Sequence, residues 1–525
     1  MNILTNPDER EEARRRLLEI LEARVEWFCA ETREGASLPL GRGEWELETA
    51  HGALHFSYRT ERGRARVWRV AGWEWTGERL RLDAARRMGA ERAVLELVPR
   101  ASVGENIAAL KAARRAACER LAALLCEATG NTRVERATLS AGARRGEPGR
   151  YARITLRRAG HERIALTGAL VALGAHEVDD LLASALLWWT RIGVSSGESV
   201  GVGKLDRAGA SQLWLVVAHE LKDATAARLA LLGEDVRREI KLFETDEGWH
   251  GVAPVALPTL AQTFDGASRF LKPPPAGLSE TAARLVALAP DAIDVVRARH
   301  GETLRFHGLS FARVRCWMRR ERVWFGAGRA PRVLLEDDNW TQLSKLLDEL
   351  REHRRAAAVD RRHALYAAAP EAWLESLLRR DITRLDPGLR LAPLHAQFRT
   401  PARTGSAGGA RPVDLLALRR DGRLVVIELK VAEDAALPLQ GADYWRRVEA
   451  HRRRGDLARS SLFGDATIAD ESPLVYLVAP LLRFHRHFHT LARMLSPDIE
   501  LYRFDLNEDW RTGVRVMRRV VIQSS

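Results

Sequence analysis

Lysine is scarce in this chain. Of its 83 basic residues seven are lysine, at positions 111, 204, 222, 241, 272, 345 and 430, which leaves 76 arginines. Beyond Lys345 the one lysine is Lys430, set between two apolar residues. In a chain that uses arginine almost everywhere, such a lysine predicts a position that needs a compact, deprotonatable ammonium and rejects a planar guanidinium. The simpler account is one chance lysine among many basic positions. Cysteine is scarce too: Cys29, Cys118, Cys126 and Cys316 show no C-x-x-C spacing, which excludes a zinc ribbon or disulfide framework and predicts a cytoplasmic protein. Long apolar runs are missing, since Leu181 to Trp189 is far too short for a membrane span. The acidic, polar start Met-Asn-Ile-Leu-Thr-Asn-Pro-Asp-Glu predicts no secretory signal.

Acidic residues are in deficit. The net charge is +13 and the pI about 10.1. Residues 351–525 hold 30 Lys plus Arg and 22 Asp plus Glu, so +8 of the +13 lies in that third. A polyanionic partner is the natural inference, although arginine-rich genome composition raises the same balance. At 525 residues, 46% hydrophobic and 29% charged, the chain is of ordinary globular composition and long enough for roughly three domains.

The informative stretch runs from Val413 to Val431, Val-Asp-Leu-Leu-Ala-Leu-Arg-Arg-Asp-Gly-Arg-Leu-Val-Val-Ile-Glu-Leu-Lys-Val. Two aliphatic runs around Asp421-Gly422 predict a β-hairpin. Asp414, Glu428 and Lys430 interrupt the runs, and loop length decides whether they meet, because a one-residue slip sends a side chain to the other face. A two-residue turn pairs Asp414 with Leu429 and points Glu428 away. A three-residue loop, Arg420-Asp421-Gly422 with Gly422 in the left-handed region, pairs Asp414 with Glu428 and leaves Lys430 on the same face. The second register is expected, because isolated charges buried in a sheet are very costly whereas these three can share a divalent cation such as Mg²⁺. The plainer alternative is a strand pair ending in an incidental Glu-Lys salt bridge.

Two flanking features bear on that choice. Gln440 and Tyr444 stand four apart on an expected helix after the hairpin, hence on one face. Upstream, Glu371 and Glu375 lie in a helix that starts near Pro370. A helix with Glu, a strand, an Asp…Glu-x-Lys hairpin and a Gln-x-x-x-Tyr helix resembles the PD-(D/E)XK nuclease superfamily, and within it NucS-like and RecB-type domains. The resemblance covers about residues 360 to 520. It implies that Asp414 and Glu428 are metal ligands for Mg²⁺ or Mn²⁺, that Lys430 orients or activates the attacking water, and that Gln440 and Tyr444 form the supporting motif. It further implies that Glu375 is the first-helix carboxylate, with Glu371 as the fallback. The proline of the family's name is displaced here to Pro412, ahead of Val413-Asp414. The activity implied is Mg-dependent deoxyribonuclease, endonuclease in preference to exonuclease, with DNA as partner, single-stranded and branched forms included. The rivals are a nuclease-fold module that binds nucleic acid without cleaving it, and a scaffold of a larger assembly.

The expected architecture is α/β and multidomain, with a C-terminal restriction-endonuclease-like mixed sheet flanked by helices and α+β domains before it. Its expected parts are an N-terminal α+β domain (1–140), a middle α+β domain (151–270), a small β-rich unit with an amphipathic helix (276–350) and the nuclease-like domain (360–525). The Gly- and Arg-rich stretch 140–150 and the triple proline near 273 are read as linkers. Trp45, Trp68, Trp73 and Trp75 are read as core rather than base-stacking platforms. Two look-alikes fail on their residues. Gly197 to Leu205 lacks the glycine and the Ser or Thr of a phosphate loop, and His219-Glu220 has Asp223 where a zinc protease needs its second His. His485, His487 and His489 lack a further metal ligand nearby. The arginines expected at phosphates are Arg446 and Arg447 and above all the run Arg452, Arg453 and Arg454. A basic continuation of the 340–350 helix through Arg354, Arg355, Arg361 and Arg362 is expected to link to the last domain.

Overall fold

A computed structural model of the chain describes residues 2–522 outside 5, 25, 32–36, 42, 51, 60–64, 87–90, 100–102, 143–147, 159–161, 195–209, 247–248, 266–276, 299–300, 318–319, 329–331 and 393–413. The protein is α/β and multidomain. It forms two compact units, Met1–Thr225 with Glu239–Ala256, and Ala226–Arg238 with Leu257–Ser525. Among the described residues, no helix is long and apolar enough to cross a membrane.

The first unit holds two sheets. An antiparallel eight-stranded sheet spans Asn2 to Pro99 and closes over Trp27, Phe56 and Trp68. Trp68 and Trp73 are buried and Trp45 and Trp75 pack on the same core, so the four rings are packing, as read. The second sheet runs from Thr132–Ala141 to Val252–Val255 and is covered by Cys118, Leu121 and Leu125 of the helix Val103–Thr129. This corrects the expected boundary at residue 140. Thr132–Ala141 is the hairpin partner of Pro148–Arg158, with Ala141 opposite Pro148, so the stretch read as a linker connects two paired strands. Gly and Pro serve linkers and tight turns alike, and composition does not separate the two. The look-alike at 197–205 and the triple proline lie outside the described residues. His219 is hydrogen-bonded to Glu244, which also pairs with Lys222.

In the second unit a five-stranded sheet between Ile293 and Leu334 packs against the helix Trp340–His353 through Leu343, Leu347 and Leu350. The expected 276–350 and 360–525 domains therefore fall within one compact unit. The basic continuation is also corrected, since the helix ends at His353 and Arg354 is wholly buried. Its guanidinium donates to the carbonyls of Phe306, His307, Leu365, Ala368 and Ala369. A planar fork of donors suits such convergent carbonyls, and nothing in the local sequence distinguishes Arg354 from the exposed Arg355, Arg361 and Arg362.

The C-terminal sheet has six strands: β1 (Leu389–Leu391), β2 (Leu415–Arg419), β3 (Leu424–Leu429), β4 (Leu474–Pro480), β5 (Leu501–Leu506) and β6 (Val516–Ile522). β3, β4 and β5 run parallel and the other pairs antiparallel, so the sheet is mixed, as expected. Helix α1 (Pro370–Arg380) covers one face, where Trp373, Leu374 and Leu378 meet Leu415, Ala417, Val425, Ile427 and Leu429. Helix α2 (Leu437–Arg453) covers the other, where Tyr444 and Val448 meet Leu416, Leu418, Leu424 and Val426. Both faces of the hairpin are thus covered.

Candidate functional site

The hairpin register follows from its loop. Leu415 pairs with Ile427 and Leu418 with Leu424, leaving the three-residue loop Arg420-Asp421-Gly422. Gly422 has φ +83°, and a Cβ there would lie 2.7 Å from the Thr467 carbonyl oxygen, so glycine is required twice over. The Gly422 N–H donates to the Arg419 carbonyl and the Arg419 N–H to that of Arg423, both at 2.9 Å. Extending the pairing one step places Asp414 opposite Glu428. By the alternation of a strand, both belong to the α2 face, and so does Lys430.

The three charges form one cluster, Glu428 and Lys430 buried and Asp414 half-buried. Asp414 Oδ2 accepts from the Leu429 N–H at 2.9 Å, and the Asp414 and Glu428 carboxyls lie within hydrogen-bonding reach of each other. The Lys430 ammonium is 3.3 Å from Glu428 Oε1 and 3.4 Å from Asp434 Oδ2. Glu428 is 2% exposed and Lys430 6%. Burial, partly offset by the Leu429 N–H, pushes the Asp414 carboxyl up to about 6, with the Glu375 charge adding to the rise. Burial first and then the Asp414 charge hold Glu428 well above the ordinary carboxylate range. The pair therefore keeps a proton where an isolated carboxylate loses it. Lys430 is pulled down by burial, yet the charges of Glu428, Glu371, Asp434 and Asp414 together outweigh that and raise it. In this environment it is an ammonium at neutral pH, which suits holding a water or an anionic oxygen more than taking a proton.

The residues of α2 line the same cluster. Tyr444 is buried and held well above its ordinary range, first by burial and then by the charges of Glu428 and Asp414. Gln440 is 4% exposed and its amide nitrogen donates to Asp434 Oδ2 at 3.1 Å. Two buried oxygens here meet no hydrogen-bond donor, Glu428 Oε2 and Gln440 Oε1. Such atoms are costly unless something else reaches them.

Of the two first-helix carboxylates, Glu375 is buried and committed. Arg379 Nε donates to it at 2.7 Å and Arg305, from the five-stranded sheet, approaches at 3.2 Å. Arg379 also donates to the main-chain oxygen of Asp414 at 2.9 Å, so Glu375 touches the cluster through an arginine and through its field. Glu371, one turn earlier, is exposed and raises Lys430 through space.

The arginines expected at phosphates are mostly engaged inside the fold. Arg446 and Arg447 both bond Asp443, which is 1% exposed, also paired with Arg228 at 3.3 Å and held far below the ordinary range. Arg452 makes a two-pronged pair with the buried Glu449 at 2.7 and 2.9 Å and also bonds Asp470. Arg454 pairs with Asp456 at 3.2 Å and donates to His451. Arg453 bonds Glu449 at 2.6 Å but keeps a half-exposed side chain. The acids that neutralise this run stand a few residues away on α2 or in the chain that follows it. Counting charge along the chain misses such pairing.

Among the described residues, no group of three or more His, Cys, Asp or Glu side chains is placed to hold a metal ion. The Asp414–Glu428 pair offers two. That number of carboxylates, completed by waters, is the usual protein contribution to a Mg²⁺ site, and the oxygen-only donors with an unpartnered Glu428 Oε2 fit Mg²⁺ or Mn²⁺ rather than zinc.

Fold and cluster together define an α/β protein whose last unit carries a buried and a half-buried carboxylate and a buried ammonium on one face of a mixed sheet. No protein-family model matches the chain and no curated protein does. A solved structure titled "Structure of EndoMS in apo form" aligns with 38% of this chain and 83% of that chain at 11% identity, with a TM-score of 0.13. A score of that size does not establish a shared fold.

Proposed function

We propose that the chain is a metal-dependent nuclease of the PD-(D/E)XK kind, hydrolysing phosphodiester bonds in DNA. The observation that carries this reading is the buried Glu428 and Lys430 with the half-buried Asp414 against them, and an oxygen of Glu428 left without a donor. A purely structural ion pair has no reason to bring a second carboxylate against the first, because two such groups raise each other's pKa and cost stability.

Asp414 and Glu428 would hold Mg²⁺ or Mn²⁺. Such an ion, when bound, polarises a phosphoryl oxygen and lowers the pKa of a bound water. Lys430 presents its ammonium beside Glu428 and orients the attacking water or offsets negative charge on the phosphate. Gln440 offers an acceptor, Oε1, and Tyr444 closes the cluster from the α2 side. Glu371 supplies negative charge at the exposed end, while Glu375 fixes Arg379 and through it the backbone of Asp414. The net charge of +13 favours a polyanionic substrate.

The test is incubation of the full chain with plasmid and with single-stranded DNA in Mg²⁺, Mn²⁺ or EDTA. Cleavage is expected with either metal and not in EDTA, and is lost in folded Asp414→Ala and Glu428→Ala. Cleavage undiminished in EDTA rules out a two-carboxylate metal site.

A further inference from the structure

Asp434 stands just after the hairpin, outside the Asp…Glu-x-Lys and Gln-x-x-x-Tyr motifs. Its Oδ2 does two things at once, accepting from the Gln440 amide nitrogen at 3.1 Å and lying 3.4 Å from the Lys430 ammonium. Its Oδ1 accepts from the Ala436 N–H at 2.8 Å, which builds the turn that leads into α2 at Leu437. The carboxylate is therefore fixed by its own backbone before it touches either side chain. We infer that Asp434 is a positioning residue of the proposed nuclease site, setting the Lys430 ammonium and the orientation of the Gln440 amide together.

The argument rests on donors and acceptors. A carboxamide has two faces of opposite character, and only its nitrogen can meet a carboxylate. With the nitrogen committed to Asp434, Oε1 becomes a buried acceptor with no partner in the fold. Without Asp434 the amide loses what fixes its orientation, and Lys430 keeps Glu428 alone, a group that would also serve as a metal ligand. A lysine stem has four rotatable bonds, so one carboxylate holds the ammonium to a distance while two hold it to a place. Asp434 is part-exposed whereas Lys430 and Gln440 are buried, which puts it at the rim of the cluster.

This inference rests on the nuclease reading, and its test separates the two. Asp434→Asn keeps the volume and the turn but presents an N–H₂ group or a neutral oxygen to Lys430 and Gln440. It is expected to lower kcat on the order of tenfold to a hundredfold with KM nearly unchanged, as misplacement of a reacting group by about 1 Å does. Asp434→Glu restores part of the loss, because the charge returns on a longer arm. In a Gln440→Ala, Lys430→Met background the Asp434→Asn change should cost little more, since its effect passes through those two residues. An Asn variant with parental kcat, or one that costs as much in the double background as in the parent, overturns the inference.

A second readout needs no cleavage. With lysine labelled at Cε, the seven lysines give few signals, and that of Lys430 is identified by its loss in Lys430→Arg. Asp434→Asn should move the Lys430 signal and leave the other six in place. An unmoved signal shows that Asp434 does not hold the ammonium. If the parent cleaves no DNA, the nuclease reading fails while this measurement still decides the contact.

Discussion

Asp414→Asn is expected to stabilise the metal-free protein while abolishing cleavage. In the fold the Asp414 carboxyl rises from an ordinary 3.8 to about 6. At 1.36 kcal/mol per pKa unit, that corresponds to about 3 kcal/mol in favour of the protonated form. A raised folded pKa contributes stability that is fully present below about pH 4 and lost as the pH climbs through about 6. At pH 8 without metal the parent therefore bears the cost of an ionised Asp414 beside Glu428. Asparagine is neutral throughout and its Oδ1 can keep the bond from the Leu429 N–H. Because Glu428 shares the strain and remains, the gain at pH 8 is expected to be about 1–3 kcal/mol, which for a unit of this size moves Tm by roughly 2–4 °C per kcal/mol. Thermal unfolding of the full chain in EDTA at pH 8 and pH 4.5 measures it, followed through the transition that loses the C-terminal unit. The Asn variant should melt higher at pH 8 and the gap should narrow markedly at pH 4.5. Mg²⁺ should then raise the parent at pH 8 and not the variant, since a ligand of the native state alone stabilises by mass action. An Asn variant that is less stable at pH 8, or a gap that ignores pH, would refute the account of a strained carboxylate pair.

Lys430→Arg is expected to fold, to bind DNA with near-parental affinity and to cleave on the order of a hundredfold more slowly, because a guanidinium cannot take the place of the ammonium between Glu428 and Asp434. Parental turnover by that variant would mean that Lys430 is structural. Arg452→Ala should destabilise the protein by about 1.5–3 kcal/mol in chemical denaturation, since it strips a two-pronged partner from the fully buried Glu449 and leaves it Arg453 alone among the arginines. Arg453→Gln should instead leave stability within about 1 kcal/mol and flatten the salt dependence of DNA binding, its side chain being half-exposed. Equal stability losses from the two would contradict the division of labour drawn from their burial.

Much of the geometry of the candidate site was legible in residues 413–444. Aliphatic runs around Asp421-Gly422 predict a hairpin, and the cost of burying lone charges selects the three-residue loop that brings Asp414 opposite Glu428. That inference is local, depending on loop length, the period of two and one glycine, and the register in the structure agrees with it. The four-residue spacing of Gln440 and Tyr444 on α2 is local in the same sense. What the sequence could not decide depends in part on partners far away along the chain and in part on which near neighbours the fold turns toward one another. Glu375 looked like a free carboxylate until Arg305, seventy positions earlier, reached it from another sheet. Arg354 looked like one of several solvated arginines until carbonyls from around residues 306 and 368 converged on it. Asp434 belongs to none of the motifs read in the sequence, and only the three-dimensional structure put its second oxygen between Lys430 and Gln440. The basic run at 452–454 carries its charge in any listing of residues, but Glu449, Asp456 and Asp470 cancel most of it once the chain folds. Periodicity and turn chemistry act within a few residues and can be read along the chain. Charge compensation acts through space, and only the tertiary structure decides which acid meets which arginine.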